Sequence, residues 1–234
     1  VANLRLNSFD IEQICQNGET LQTLSLEGCN IDFYLRTELI QKLFTKCSQL
    51  SELSIHKGVG SYVGEKGLLD PHLSALFDNL TPNILKLSLG AQDCVEDRHV
   101  KTLVRRCNKM TELDLKYSSI TNDSVKSIIE HLNCLEKLDV SNTNVDFSML
   151  LQLKSIPTLK VLRFGWYKKE DPEEIKNLKL CLPHVRINEE YLHIACPTKS
   201  VNGSFDLDCF WEIKAKQQKL FRRSHDGYLT MNGL

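Results

Sequence analysis

Few residue clusters in this sequence have the types and spacing that chemistry needs. A glycine-rich stretch, Gly58, Gly60, Gly64 and Gly67, lies between a strand pattern ending at Ile55 and a helix pattern around Leu73, Leu76, Phe77 and Leu80. Backbone amides cradle phosphates in that context, but the spacing fits neither G-x-G-x-x-G nor G-x-x-x-x-G-K-[ST], and a flexible loop is expected. His193 and Cys196 could act as base and thiol. At i and i+3 of a strand-like segment, however, they point to opposite faces, and no third group orients them. The nine cysteines are odd in number and include no C-x-x-C pair. Cys29, Cys47 and Cys107 fall where a small apolar side chain packs, which points to a reducing compartment rather than to zinc or disulfides. No catalytic residue, metal site or cofactor is expected.

The remaining chemical capacity is recognition, and it sits on an alternating pattern. L-x-x-L-x-L or its equivalent begins at Val1, Leu21, Leu50, Ile84, Met110, Leu135, Leu159 and Leu182. The starts are 20 to 34 residues apart, mostly within the span of a strand-plus-helix repeat. Side chains alternate across a strand, so the leucines turn inward and the residues between them turn outward. Helix patterns fill the intervals: Leu39, Leu43, Phe44 and Cys47 follow Ile31; Val125, Ile128, Ile129 and Leu132 follow a cap at Asn122 or Asp123. Asp171-Pro172-Glu173-Glu174 reads as a cap, a first-turn proline and two carboxylates at the positive end of a helix.

The fold class expected is α/β, a leucine-rich-repeat solenoid or horseshoe with a parallel sheet on the concave face and helices on the convex face. Residues 1–188 are expected to hold about eight repeats, the first truncated, and residues 189–234 to form a C-terminal tail whose last residues are expected to be disordered. Because the chain opens at Val1 directly in a repeat strand, an N-terminal segment covering that edge is expected. The outward set runs from Thr23, Ser25, Glu27, Glu52, Ser54 and His56, through Lys86, Ser88 and Ser141, to His184 and Arg186, acidic and small early, acidic and basic in the middle, and basic late. Within it, Glu112, Asp114, Lys116, Tyr117, Lys137, Asp139, Asn142, Arg163, Trp166 and Arg186 are the residues expected to hold a protein partner.

Composition excludes other classes of partner. With 25% charged residues and a formal net charge of -1, the chain has no electrostatic pull toward nucleic acid or membrane. No apolar run reaches the roughly 18 residues of a membrane helix, and no export signal is present. The sequons at Asn79, Asn122 and Asn202 are short enough to arise by chance. The basic run Lys214, Lys216, Lys219, Arg222 and Arg223 is either a nuclear localisation signal or a solvated end, and the expected location is nucleus and cytoplasm.

Specific wording goes beyond repeat grammar. Leu103 to Cys107 (LVRRC), Ile156 to Leu162 (IPTLKVL), Leu182 to Asn188 (LPHVRIN), His193 to Thr198 (HIACPT) and Phe210 to Lys214 (FWEIK) occur in this order. They resemble the C-terminal half of the F-box proteins with leucine-rich repeats, strongly from Leu103 to Lys214. The resemblance implies a non-catalytic substrate-recognition subunit of an SCF (cullin-RING) ubiquitin ligase. It implies an F-box, absent from this chain, that binds the ligase adaptor, and a tail that folds back on the concave face. The implied cargo is a phosphorylated cell-cycle protein such as a cyclin-dependent-kinase inhibitor, held together with a small kinase-accessory protein and marked for proteasomal degradation. Lys57, Asp93, Tyr117 and Asn142 stand where the family uses an aromatic and charged groups for the accessory protein, and Cys196 stands where it has arginine. Arg163 and Arg186 remain as phosphate partners. The alternative is a repeat scaffold for protein interaction unconnected to ubiquitination.

Overall fold

Each strand of the main sheet is short and carries one buried leucine or isoleucine. The computed structural model describes residues 5–26, 30–31, 37–55, 70–165 and 172–188. Contacts divide the chain into Val1–Asn188 and Glu189–Leu234, and all described residues belong to the first unit. Trp166, the glycine-rich stretch with His56 and Lys57, Glu27, Cys29, Asp171, and the whole tail with His193, Cys196 and the basic run lie outside the described residues.

The strands are β1 (Arg5–Leu6), β2 (Thr23–Ser25), β3 (Asn30–Ile31), β4 (Glu52–Ser54), β5 (Lys86–Ser88), β6 (Glu112–Asp114), β7 (Lys137–Asp139), β8 (Val161–Arg163) and β9 (Arg186–Ile187). The helices are α1 (Ser8–Gln16), α2 (Thr37–Lys46), α3 (Asp70–Asn79), α4 (Asp97–Arg106), α5 (Asn122–His131), α6 (Phe147–Leu150) and α7 (Pro172–Cys181), with 3-10 turns at Gly18–Thr20 and Leu151–Ser155. Seven strands form one all-parallel sheet in the order β2-β4-β5-β6-β7-β8-β9. Helix and strand alternate, so the chain is an α/β protein of repeat type.

Register aligns Leu24, Leu53, Leu87, Leu113, Leu138, Leu162 and Ile187 in one row across the sheet. All seven are buried and share one core with the inward residues of the helices. Helix α4 shows why the helices form: His99, Val100, Leu103 and Val104 make a buried stripe at helical spacing, and Arg105 and Arg106 stand at its negative end. Cys107 ends the helix, its N–H donating to the Leu103 carbonyl at 2.8 Å.

Two expectations for the N-terminal repeats are corrected. Val1 and Leu4 lie outside the described residues, and Leu6 does not begin the main sheet, because β1 pairs with β3 in a separate two-stranded parallel sheet, Arg5 with Asn30. That pairing keeps the offset of 25 residues seen between Glu112 and Lys137, whereas the Leu4-to-Leu24 spacing is too short for it. Ile31 accordingly lies in a strand, and the helix expected from that point starts at Thr37.

The cap of α5 is also corrected, from Asn122 or Asp123 to Thr121. Thr121 is extended, and its Oγ1 accepts from the Asp123 N–H. Asn122 instead bonds the next repeat: its Nδ2 donates to Asp146 Oδ2 at 2.6 Å, and its Oδ1 accepts from the Asp146 N–H at 2.8 Å. Asp97, the first residue of α4, makes the equivalent link between the preceding repeats. It accepts from the Thr121 N–H at 2.8 Å, the Thr121 hydroxyl at 2.7 Å and the Ser124 N–H at 3.1 Å. Burial opposes its ionisation, but the bonds from Ser124 and Thr121 outweigh burial and hold the carboxyl below its ordinary range.

Two outcomes follow for urea unfolding. Leu113→Ala leaves a cavity in the row and should cost about 2 to 5 kcal/mol. Asp97→Asn should cost about 1 to 2 kcal/mol at neutral pH through weakened charge-assisted bonds. Because the folded carboxyl titrates below the unfolded one, its contribution is full above the ordinary carboxylate range and is lost as pH falls through the lowered value. The variant should therefore show a flatter loss of stability in acid than the parent.

Candidate functional site

The face of the sheet opposite the leucine row carries two rows of side chains. Thr23, Glu52, Lys86, Glu112, Lys137, Val161 and Arg186 align in the first, and Ser25, Ser54, Ser88, Asp114, Asp139 and Arg163 in the second. The strand alternation that buries each central leucine sets both rows outward.

The first row is largely self-neutralised. Lys86 Nζ lies 2.7 Å from Glu52 Oε1, and Lys137 Nζ lies 3.0 Å from Glu112 Oε1. The bond to Glu52 raises the Lys86 pKa. Exposed pairs of this kind contribute little stability. Their effect is on charge: acid and base alternate from β4 to β7, and pairing neutralises this mixed stretch of the row. Arg186 lies exposed on β9 at the end of the row.

The second row is less balanced. Asp114 accepts from the Ser88 hydroxyl at 2.9 Å and from its own turn's Lys116 N–H at 3.1 Å, with Lys116 Nζ at 3.4 Å. Its register neighbour Asp139 is only 6% exposed. Asp139 accepts from the Ser141 N–H at 3.0 Å, and Arg163 Nη1 stands 3.9 Å away. Burial first, and the Asp114 charge second, push the Asp139 carboxyl above its ordinary range.

Just past the strands the chain turns through a repeated left-handed residue. Ala91, Tyr117 and Asn142 have φ of 61°, 57° and 56°. Their N–H groups donate across to the carbonyls of Lys116, Ser141 and Gly165 at 2.8, 2.9 and 2.7 Å. Asparagine tolerates this conformation; a bulky tyrosine is an outlier there and stores about 1 to 2 kcal/mol of backbone strain. Tyr117 occupies this position with 37% of its surface exposed.

Of the expected partner-binding residues, Glu112, Asp114, Lys137, Asp139, Arg163 and Arg186 lie on this one face, Lys116, Tyr117 and Asn142 lie in the turns that follow, and Trp166 lies outside the described residues. Ser141, which alternation also sets outward, lies in the turn after β7, and Asn188 joins the site without a pattern to announce it. Asn188 bonds the Phe164 backbone twice, accepting from its N–H and donating to its carbonyl, each at 3.1 Å.

The thiols of Cys15, Cys47 and Cys107 are buried and behave as packing groups, whereas Cys134 and Cys181 are exposed. Burial pushes Cys47 and Cys107 up to about 11, and the six described cysteines are free. Among the described residues no three His, Cys, Asp or Glu side chains are grouped to hold a metal, and no helix is long and apolar enough to cross a membrane.

No family model matches the chain. Among solved structures, Leiomodin-1 Actin-Binding Site 2 is similar at a TM-score of 0.42 and 12% sequence identity, over 94% of this chain and 99% of that one.

The electrostatics of Asp139 give a signed outcome. An acid whose folded pKa exceeds its unfolded one is best tolerated below the ordinary carboxylate range, and it destabilises the fold progressively as pH rises through that range toward the raised value. Asp139→Asn keeps the acceptor for the Ser141 N–H and removes the buried charge. It should stabilise the protein by on the order of 1 kcal/mol at pH 7 and by less at pH 4, read from urea midpoints at both pH values.

Proposed function

We propose that the chain is a leucine-rich-repeat solenoid, a horseshoe whose concave wall is the two-row sheet face, and that it holds a protein segment there. The observation that supports this best is the cost accepted at one place. A buried Asp139 carboxyl beside Asp114 and a left-handed Tyr117 both work against folding, and both are on the outward sheet face or in the turn that follows it. Departures from local rules of this kind are expected at functional sites.

The sequence resemblance carries the reading further. LVRRC, IPTLKVL and LPHVRIN resemble the C-terminal half of S-phase kinase-associated protein 2, an F-box protein with leucine-rich repeats. On that footing the protein is a substrate-recognition subunit of an SCF ubiquitin ligase in the nucleus and cytoplasm. It positions a cell-cycle protein, such as a phosphorylated cyclin-dependent-kinase inhibitor, for ubiquitination, with the adaptor bound through an F-box and a small kinase-accessory protein at the rim. Glu112, Asp114, Lys116, Tyr117, Lys137, Asp139, Asn142, Arg163, Trp166 and Arg186 are the residues assigned to the partner. The role is to hold and orient, without chemistry of its own.

Tagged full-length protein and its Tyr117→Ala form, purified from cells, test this. The parent should recover the ligase adaptor, the cullin and a substrate. The variant should keep adaptor and cullin while losing substrate about tenfold, the equivalent of about 1.4 kcal/mol. Recovery of partners without adaptor or cullin would instead favour a repeat scaffold outside ubiquitination.

A further inference from the structure

One pair breaks the charge pattern of the outward sheet face. Among the described residues, every other register neighbour in the two outward rows is opposite in charge or includes an uncharged residue, but Asp114 and Asp139 stand side by side. Like charges placed directly opposite on adjoining strands repel. The cations at hand relieve this only in part: Lys116 Nζ is 3.4 Å from Asp114, and Arg163 Nη1 is 3.9 Å from Asp139, at the outer limit of an ion pair.

A second observation points the same way. Ser141 is 5% exposed, and its N–H is bonded to Asp139 Oδ1. Its hydroxyl interacts with the same carboxylate and favours the charged form, but its oxygen is buried and makes no hydrogen bond of good geometry. In the same turn, the side-chain oxygen of Asn142 is buried with no donor. Buried polar atoms are nearly always paired, so two such oxygens in the turn that follows an under-compensated carboxylate are acceptors that an arriving donor could satisfy. The group that fits is all donor and positively charged, with several N–H bonds to give. Of protein side chains, only lysine and arginine have that character at neutral pH.

We infer that the partner inserts a lysine or arginine side chain at β6 and β7, where its ammonium or guanidinium bridges Asp114 and Asp139 and supplies the donor missing at Ser141. This deepens the protein-binding reading above and rests on it. The arriving cation takes over the carboxylate that Arg163 serves at long range, and Asp114, the more exposed of the two acids, is the point of entry. Specificity follows from the same geometry: an acidic residue at that position of the partner would meet two carboxylates, and a neutral one would leave them under-compensated.

The test is selection of a random displayed-peptide library on the full chain, with Tyr117→Ala, Asp114→Asn and Asp139→Asn proteins as comparisons, each checked for a cooperative thermal transition. Both asparagine variants keep a side-chain oxygen for the existing backbone donors, and Asp139→Asn should fold at least as well as the parent. Enriched peptides should share a basic residue at one fixed position. Replacing that residue by glutamine should weaken binding to the parent more than tenfold by fluorescence anisotropy, and by less than about threefold on either asparagine variant. Peptides that weaken with Tyr117→Ala but show no fixed basic position would overturn this inference and leave the sheet-face reading intact. Peptides indifferent to all three variants, or no enrichment at all, would contradict both.

Discussion

Parallel pairing between strands of at most three residues is the constraint on which the rest depends. Each strand has room for one inward side chain, and register places those side chains in a single row from Leu24 to Ile187. With so short a strand, the sheet cannot hold its alignment by length. It holds it by repetition: each central leucine locks into the core beside the next, and a slip of one residue would turn Glu112 or Lys137 inward. The helices meet the same requirement by a second set of links. Asp97 reaches the start of α5, and Asn122 reaches Asp146, so neighbouring repeats are tied at the helix N-termini as well as through the sheet.

Fixing the register also decides what the outer face can be. Once Leu113 and Leu138 are inward, Glu112 must stand beside Lys137 and Asp114 beside Asp139. The first neighbour pair is complementary and nearly cost-free. The second is not, and register keeps the two acids on neighbouring strands as long as the leucines stay paired. A stack of such repeats thus converts sequence identity at two positions per strand directly into a two-dimensional charge pattern, and mismatches in that pattern persist in the fold unless something outside the chain offsets them.

The features legible in the sequence are those written in periodicity. Leucine spacing announces the strands and their inward rows, and alternation alone assigns Glu112, Asp114, Lys137, Asp139, Arg163 and Arg186 to one face. What stays hidden depends on atoms far apart in the chain. The pairing of β1 with β3 follows from an offset that the leucine pattern misstates. Asp97 looks like the ordinary first residue of its own helix, while its bonds go to the next. The left-handed turn at Tyr117 is invisible because tyrosine is a residue that ordinarily avoids it. The imbalance at Asp139 depends on burial, which equal letters at Asp114 and Asp139 do not distinguish.

The central claim is that the two-row sheet face, and not the helical side, meets another protein. Cross-saturation NMR of the labelled chain with a bound, unlabelled partner reads this directly, because only amides close to the partner lose intensity. The account predicts losses grouped at residues 112–117, 137–142 and 161–165. Losses grouped instead on α4 and α5, with those three segments unchanged, would contradict it.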